Sequence, residues 1–89
     1  MLLHFEGQAQ IDDRKGGVIF AGRYLERNGG ERIVICRVTA DALMNKCLAE
    51  RKVPTDALHA YRIFSEQINR NASALFDGGD VKPVVTSIA

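Results

Sequence analysis

Two β-rich segments on either side of an Asn-Gly turn constrain the fold of this chain more than any other feature. The segments are Val18–Glu26 and Glu31–Val38, and Asn28-Gly29-Gly30 lies between them. Asn-Gly is a strong signal for a β-hairpin because both residues tolerate a positive φ. The sequence therefore predicts an antiparallel pair of strands at the centre of a sheet.

Charged residues beside the turn predict the register of this hairpin. A three-residue loop over 28–30 creates two cross-strand pairs of opposite charge, Arg27 with Glu31 and Glu26 with Arg32. A two-residue loop over 28–29 would instead set Glu26 against Glu31. Like charges that face each other across two strands are destabilising, so we predict the three-residue loop.

The alternation of side chains along the two strands defines two faces. One face is almost wholly apolar and is predicted to pack against helices: Val18, Phe20, Gly22, Tyr24, Val34, Cys36 and Val38. The other, which we call the outer face, is mostly aliphatic with two arginines: Ile19, Ala21, Arg23, Leu25, Ile33, Ile35 and Arg37. A solvent-facing sheet surface is normally polar. Three explanations are open: cover by the N-terminal segment or the final strand, an interface with a second copy or a protein partner, or contact with nucleic acid.

Two helices are predicted after the hairpin. Thr39 is a good N-cap for the first, whose predicted apolar stripe is Leu43, Met44, Cys47 and Leu48. Thr55-Asp56 begins the second, and Gly78 is its predicted C′ residue. Apolar residues follow a 3.6-residue period along this second helix: Leu58, Tyr61, Phe64, Ile68, Ala72 and Leu75.

The remaining strands complete an α+β fold. Leu2–Glu6 is a candidate first strand, and Val81–Ile88 is a predicted final strand. Pro83 has no N–H to donate, which places that final strand at an edge of the sheet. The predicted order is β-β-β-α-α-β, with a small, mostly antiparallel sheet and two helices packed on one face.

The composition is that of one small globular domain over residues 1–89. Of these residues 46% are hydrophobic, and 12 Lys+Arg against 11 Asp+Glu leave a formal net charge of +1. A disordered chain would be less apolar and more charged. Cys36 and Cys47 form no C-x-x-C motif, which predicts reduced thiols. With no signal segment and no apolar run approaching ~20 residues, the sequence predicts a cytoplasmic protein without a membrane span.

Three short motifs resemble a bacterial family, the domain of unknown function 1488. They are Val18-x-Phe20, Cys36-x-Val38-Thr39-x-x-Ala42-Leu43 and Phe64-x-x-x-Ile68-x-x-x-Ala72. The segment after the cysteine commonly has Glu in that family where this chain has Asp41. The resemblance implies a compact α+β bacterial protein, and it transfers no catalytic residue.

The residues that could carry chemistry do not form a recognisable site. His4 and His59 have no nucleophile or ligand partner at a telling spacing, although a pair of Cys47 with His59 across two helices is conceivable. The acidic stretches at 12–13 and 77–80 lack the alternating ligands of a calcium loop. The stretch over 14–17 lacks a phosphate-loop pattern. We therefore predict no catalytic, cofactor-binding or metal site and no cofactor.

A non-enzymatic module for protein interaction or self-association is the function that these observations favour. The predicted interaction face is Ile19, Arg23, Leu25, Ile33, Ile35 and Arg37, and the predicted partner is a second copy or another protein. Nucleic acid is a weaker partner, because the net charge is near zero and this face offers no aromatic residues for stacking. The alternatives are a regulatory protein that binds a small ligand or nucleic acid, and an enzyme with an unrecognised site.

Overall fold

A four-stranded sheet and three helices make up the computed structural model, which describes residues 3–89. The strands are β1 (His4–Ile11), β2 (Val18–Leu25), β3 (Glu31–Val38) and β4 (Val84–Val85), and the helices are α1 (Ala40–Glu50), α2 (Ala57–Ile63) and α3 (Ser65–Asp77). The sheet order is β1-β2-β3-β4. β2 pairs antiparallel with β1 and β3, and β4 runs parallel to β3. The α+β class and the order of strands and helices are confirmed.

The β2–β3 hairpin has a three-residue loop, but the loop lies one residue earlier than predicted. Glu26 N–H donates to the Gly30 carbonyl, and Gly29 N–H donates to the Glu26 carbonyl. Gly29 has φ +87°. This is a type I turn followed by a left-handed residue, and the loop is 27–29.

The predicted charge pairs at this hairpin are therefore wrong. Arg27 and Glu26 lie in or next to the turn, and Glu31 faces Leu25 while Arg32 faces Tyr24. A cross-strand ion pair contributes only about 0.2–1 kcal/mol. The turn's own hydrogen bonds accompany the observed register, since Asn28 Oδ1 also accepts a hydrogen bond from Gly30 N–H at 2.9 Å, and surface ion pairs of this size do not override them.

The two faces of the sheet are those that the alternation predicts, since the register differs from the predicted one by two residues. A shift of two keeps every side chain on its face, whereas a shift of one would exchange the faces. The inner face joins the helices in one core, whose least exposed large side chains are Phe20, Ile68, Val18, Val38 and Val85. The rings of Phe5, Phe20 and Tyr61 follow one another through this core, with centroids 5.8 and 5.1 Å apart.

Helix α1 begins as predicted but buries only half of its predicted stripe. The Thr39 hydroxyl accepts a hydrogen bond from Ala42 N–H at 3.1 Å, which satisfies a free helix N–H group. Leu43 and Cys47 are buried, whereas Met44 and Leu48 are exposed. The helix therefore contacts the core along a narrow line rather than a broad stripe.

The sequence predicts one long second helix, whereas the structure has two helices in this region, α2 and α3. Asp56 caps α2, and its carboxylate accepts a hydrogen bond from His59 N–H at 2.8 Å. Phe64, with φ −110° and ψ 19°, separates α2 from α3. Tyr61, Phe64, Ile68 and Ala72 are still buried, because the periodicity of the apolar residues passes through the break.

The end of α3 and strand β4 also differ from expectation. Gly78 is the C-cap, and Gly79 rather than Gly78 is the left-handed C′ residue, with φ +104°. Asp80 N–H bonds to the Leu75 carbonyl and Gly79 N–H to the Phe76 carbonyl, which is the Schellman pattern. β4 is an edge strand as predicted, but it has two residues instead of the eight of 81–88.

Strand β1 is longer than predicted and ends at Ile11. Leu2, the predicted first residue of this strand, lies outside the described residues. Phe5 faces Gly22 and Ala9 faces Phe20, so three residues of β1 oppose the single residue Ala21. This bulge bends the outer edge of the sheet.

Candidate interaction face

The part of the outer face nearest the β2–β3 turn is open to solvent. Leu25, Ile33 and Ile35 are 70%, 54% and 52% exposed, respectively. β1 lies beside β2 and β4 lies beside β3 in the plane of the sheet. Within residues 3–89, β1 and β4 therefore extend the sheet sideways and leave Leu25, Ile33 and Ile35 uncovered, whereas Ile19, Ala21 and Arg37 are half-buried.

The exposed aliphatic residues form one continuous patch across β2 and β3. Ile35 faces Ala21 across the two strands, and Ile33 faces Arg23. Directly opposite side chains on one sheet face are ~4.5–5.5 Å apart at Cβ and diagonal ones ~7–8 Å, so Ile35 lies next to Ala21, and Leu25 lies diagonally from Ile33. Val84 of β4 faces Arg37 and adds a further aliphatic residue at one margin, which the sequence did not assign to this face.

The β1 side of the patch is polar. His4 faces Arg23 and Gln10 faces Ile19. Both β1 side chains are exposed. The aliphatic strip on β2 and β3 is thus bordered by polar groups, which is the arrangement of a protein interface with an apolar centre and a polar rim.

Arg23 is held between two carboxylates of its own chain. Its guanidinium lies 3.4 Å from Glu6 of β1 and 3.3 Å from Glu31 of β3. All three side chains are about half exposed, so the pairs contribute little to stability. They place one cation beside Ile33, between Ala21 and Leu25 of β2, with one anion on each neighbouring strand.

Arg37, near the C-terminal end of β3, binds the loop between β1 and β2. Its Nε lies 3.0 Å from Asp12 Oδ2, and its Nη2 donates to the carbonyls of Lys15 and Gly16 at 3.3 and 3.0 Å. Backbone N–H groups of Lys15 and Arg14, together with Arg37, hold the pKa of Asp12 below its ordinary value. The two arginines of the face therefore have carboxylate partners within this chain, and neither depends on a second chain for one.

The other sequence candidates do not form a common site, although His4 faces Arg23 and Asp12 pairs with Arg37. Cys47 is buried in the core. The His59 ring is exposed, and its Nδ1 accepts a hydrogen bond from Thr55 N–H at 3.0 Å. Asp12 and Asp80 each accept backbone N–H groups within their own turns. No group of three His, Cys, Asp or Glu residues within 3–89 could hold a metal ion.

A second apolar surface, which was not predicted from the sequence, lies between α1 and α2. This groove of about 510 Å³ is lined by Met44, Leu48, Val53 and Pro54, among others. Val53 is 93% exposed. Met44 and Leu48 are four residues apart, which predicts that they lie on one side of α1. The same spacing occurs in the pair Leu43 and Cys47, which packs in the core, so the sequence does not show which pair is exposed.

Comparison with protein-family models, with curated proteins and with solved structures returned no match. The resemblance to the domain of unknown function 1488 family therefore stays a prediction. No helix within residues 3–89 combines the length and the apolar character that crossing a membrane requires.

Proposed function

We propose that this protein is a non-enzymatic interaction module that self-associates through the outer face of its sheet. The observation that carries the proposal is the exposed patch of Leu25, Ile33 and Ile35, which no other part of residues 3–89 covers. Large contiguous apolar patches on a protein surface mark interaction sites. Two such sheets would pack face to face ~10 Å apart, as in a β-sandwich.

The charge pattern around the patch supports a second copy as the partner. A two-fold interface must be complementary to itself. Both charge signs occur on this face: Arg23, within the patch, lies beside Glu6 and Glu31, and Arg37 lies beside Asp12. A two-fold rotation can therefore bring the cation of one copy near a carboxylate of the other without placing an excess of one sign in the interface.

The size of the face predicts a weak dimer. Three strands of eight residues span roughly 26 Å by 14 Å, a footprint of about 360 Å². Stable interfaces bury ~800 Å² per partner, and smaller ones are transient. We therefore expect a dissociation constant in the micromolar range.

The chemistry of the core supports a non-enzymatic role. Acid–base catalysis requires titratable groups that converge in a cleft. Cys36 and Tyr61 are two of the titratable core residues; burial raises the pKa of Cys36 to about 11 and also raises the pKa of Tyr61. Both groups are therefore neutral near pH 7.

The test is the substitution Ile35→Asp with Val53→Asp as the matched control. Each variant replaces an exposed aliphatic residue by a carboxylate, but Val53 lies at the helix groove and not on the outer face. Sedimentation equilibrium should show concentration-dependent dimers for the parent and for Val53→Asp, and monomers for Ile35→Asp. Circular dichroism should show that all three proteins are folded. A parent protein that is monomeric into the high micromolar range would refute self-association.

A further inference from the structure

Only one end of the β3 edge has a strand partner. β4 pairs with Arg37 and Val38. Along β3 from Glu31 to Ile35, no strand within residues 3–89 lies on the side away from β2. We call this segment the open β3 edge.

The hydrogen bonds around β3 show which backbone groups point toward the open edge. Arg37 N–H donates to the Pro83 carbonyl and Thr39 N–H to the Val85 carbonyl, both away from β2. Backbone groups along a strand alternate in direction with a period of two residues. Glu31, Ile33 and Ile35 therefore direct their N–H and C=O groups toward the open edge, three donors and three acceptors in a row.

The open β3 edge lacks the bulge that interrupts the other edge of the sheet, although the exposed charged residues Glu31 and Arg32 lie on it. The bulge between Phe5 and Ala9 interrupts β1. Exposed polar residues such as Gln8 and Gln10 also occupy β1. Bulges and polar side chains are ways to prevent pairing with another strand. β3 instead keeps an unbroken register with β2 and carries exposed Ile33 and Ile35.

We propose that the open β3 edge binds an extended segment of a partner protein as an added antiparallel strand. The partner's alternate residues would be aliphatic, because they lie beside Ile33 and Ile35 on the outer face. Its intervening residues would include a carboxylate beside Arg32, which is exposed and makes no ion pair within residues 3–89. Main-chain hydrogen bonds supply the affinity in this mode of recognition, and alternate side chains supply the specificity.

A second copy of β3 fits this edge poorly. Antiparallel pairing of two β3 strands about Ile33 places Arg37 of each copy next to position 29 of the other. β4 lies on the open side of Arg37, so each β4 would collide with the other copy's hairpin loop. The edge is thus suited to a heterologous segment, and this inference does not depend on self-association through the outer face.

The test uses a short capped peptide in which valine and glutamate alternate. In an added antiparallel strand, the residues opposite Ile33 and Ile35 point their N–H groups at β3 and their side chains to the outer face. N-methylation of the valines should therefore abolish binding, whereas N-methylation of the glutamates should preserve it. NMR titration of the labelled protein should shift the amides of Glu31, Ile33 and Ile35 and slow their exchange with solvent.

Two substitutions in the protein itself, Ile33→Pro and Ile33→Ala, provide a second matched test. Ile33→Pro removes an N–H that points away from β2, so the β2–β3 ladder is kept. Ile33→Ala removes the same side chain and keeps the N–H. Peptide affinity should fall about tenfold further in Ile33→Pro than in Ile33→Ala.

Three results would overturn the proposal. They are equal binding of the two methylated peptides, equal affinity of the two variants for the peptide, and slow exchange of the Ile33 and Ile35 amides in the peptide-free monomer. Protection of those amides that rises with protein concentration would identify a second copy as the occupant and would also refute it. If the protein binds the peptide but stays monomeric, the face-to-face dimer is refuted and the binding of a strand at the open β3 edge is kept.

Discussion

Gly17 lies against the backbone carbonyl of Val38, and that oxygen occupies the space that a Cβ atom would take at position 17. Gly17 also has φ +82°. This contact joins the turn before β2 to the end of β3, where α1 begins. The close approach fixes the start of β2 relative to the first turn of that helix.

Replacement of Gly17 by alanine should destabilise the protein strongly. The methyl group would displace the Val38 backbone, and the left-handed conformation adds its own penalty, so we expect a loss of about 3 kcal/mol. Gly29→Ala is the control, because Gly29 has a similar φ of +87° but open space within 4 Å of the point where a Cβ would lie. That variant should lose only about 1 kcal/mol. Urea unfolding of both variants measures the difference, and equal losses would show that the Val38 contact is unimportant.

Arg51→Gly should stabilise the protein. Arg51 ends α1 in the left-handed region with φ 55°, and its N–H bonds to the Leu48 carbonyl. Glycine adopts this conformation without the Cβ penalty. After allowance for the greater freedom of glycine in the unfolded chain, we expect a gain of about 0.5 kcal/mol, which corresponds to roughly 2–4 °C in Tm. Arg51→Ala keeps the penalty and serves as the control, and a melting temperature that rises equally in both variants would assign the gain to the lost charge.

Alkaline pH should destabilise the protein partly through Cys36. Burial, with a smaller contribution from the Asp80 carboxylate, raises the pKa of the Cys36 thiol to about 11. In the unfolded chain the thiol ionises near pH 8.5. The unfolded state therefore releases this proton first, and stability falls as the pH rises from about 8.5 to about 11, by about 3 kcal/mol at most.

Urea unfolding of the parent and of Cys36→Ala at pH 8 and pH 10.5 isolates this contribution. Cys36→Ala should be less stable at pH 8, because it leaves a small cavity in the core, but its stability should decline less with pH. Groups such as Tyr61 titrate in both proteins, so the difference between the two slopes reports Cys36. Parallel slopes would contradict a buried, protonated thiol at position 36.

The alternation of residues in β2 and β3 was enough to predict which side chains lie on each face. Side chains alternate between the two faces along a strand, and the apolar side chains of the inner face form the core. The cross-strand partners were predicted wrongly, because the ion pairs expected at Arg27 and Glu26 contribute too little to fix the register of a hairpin. Turn conformation outweighs surface charge at this position.

The break at Phe64 left no signal in the sequence. No glycine or proline marks it, and the apolar period runs through it from Tyr61 to Ile68. The exposure of Met44 and Leu48 was also not predictable from the sequence. Periodicity identifies the apolar side of a helix, but it does not show how much of that side the sheet covers. The outer face was recognisable from its composition, whereas two carboxylate partners of its arginines, Glu6 and Asp12, lie on β1 and its loop, whose register includes the bulge.

The parallel pairing of β4 with β3 has a consequence for the order in which the chain folds. The β2–β3 hairpin closes a short loop, whereas Val84 and Val85 reach Arg37 and Val38 only after all three helices intervene. Contacts between residues so distant along the chain form slowly and late. Val85→Ala should therefore speed unfolding and leave the folding rate nearly unchanged in stopped-flow measurements, while Val34→Ala in the hairpin should slow folding. The pairing of β4 therefore controls the lifetime of the folded protein, which is set by its unfolding rate, and has little effect on its folding rate.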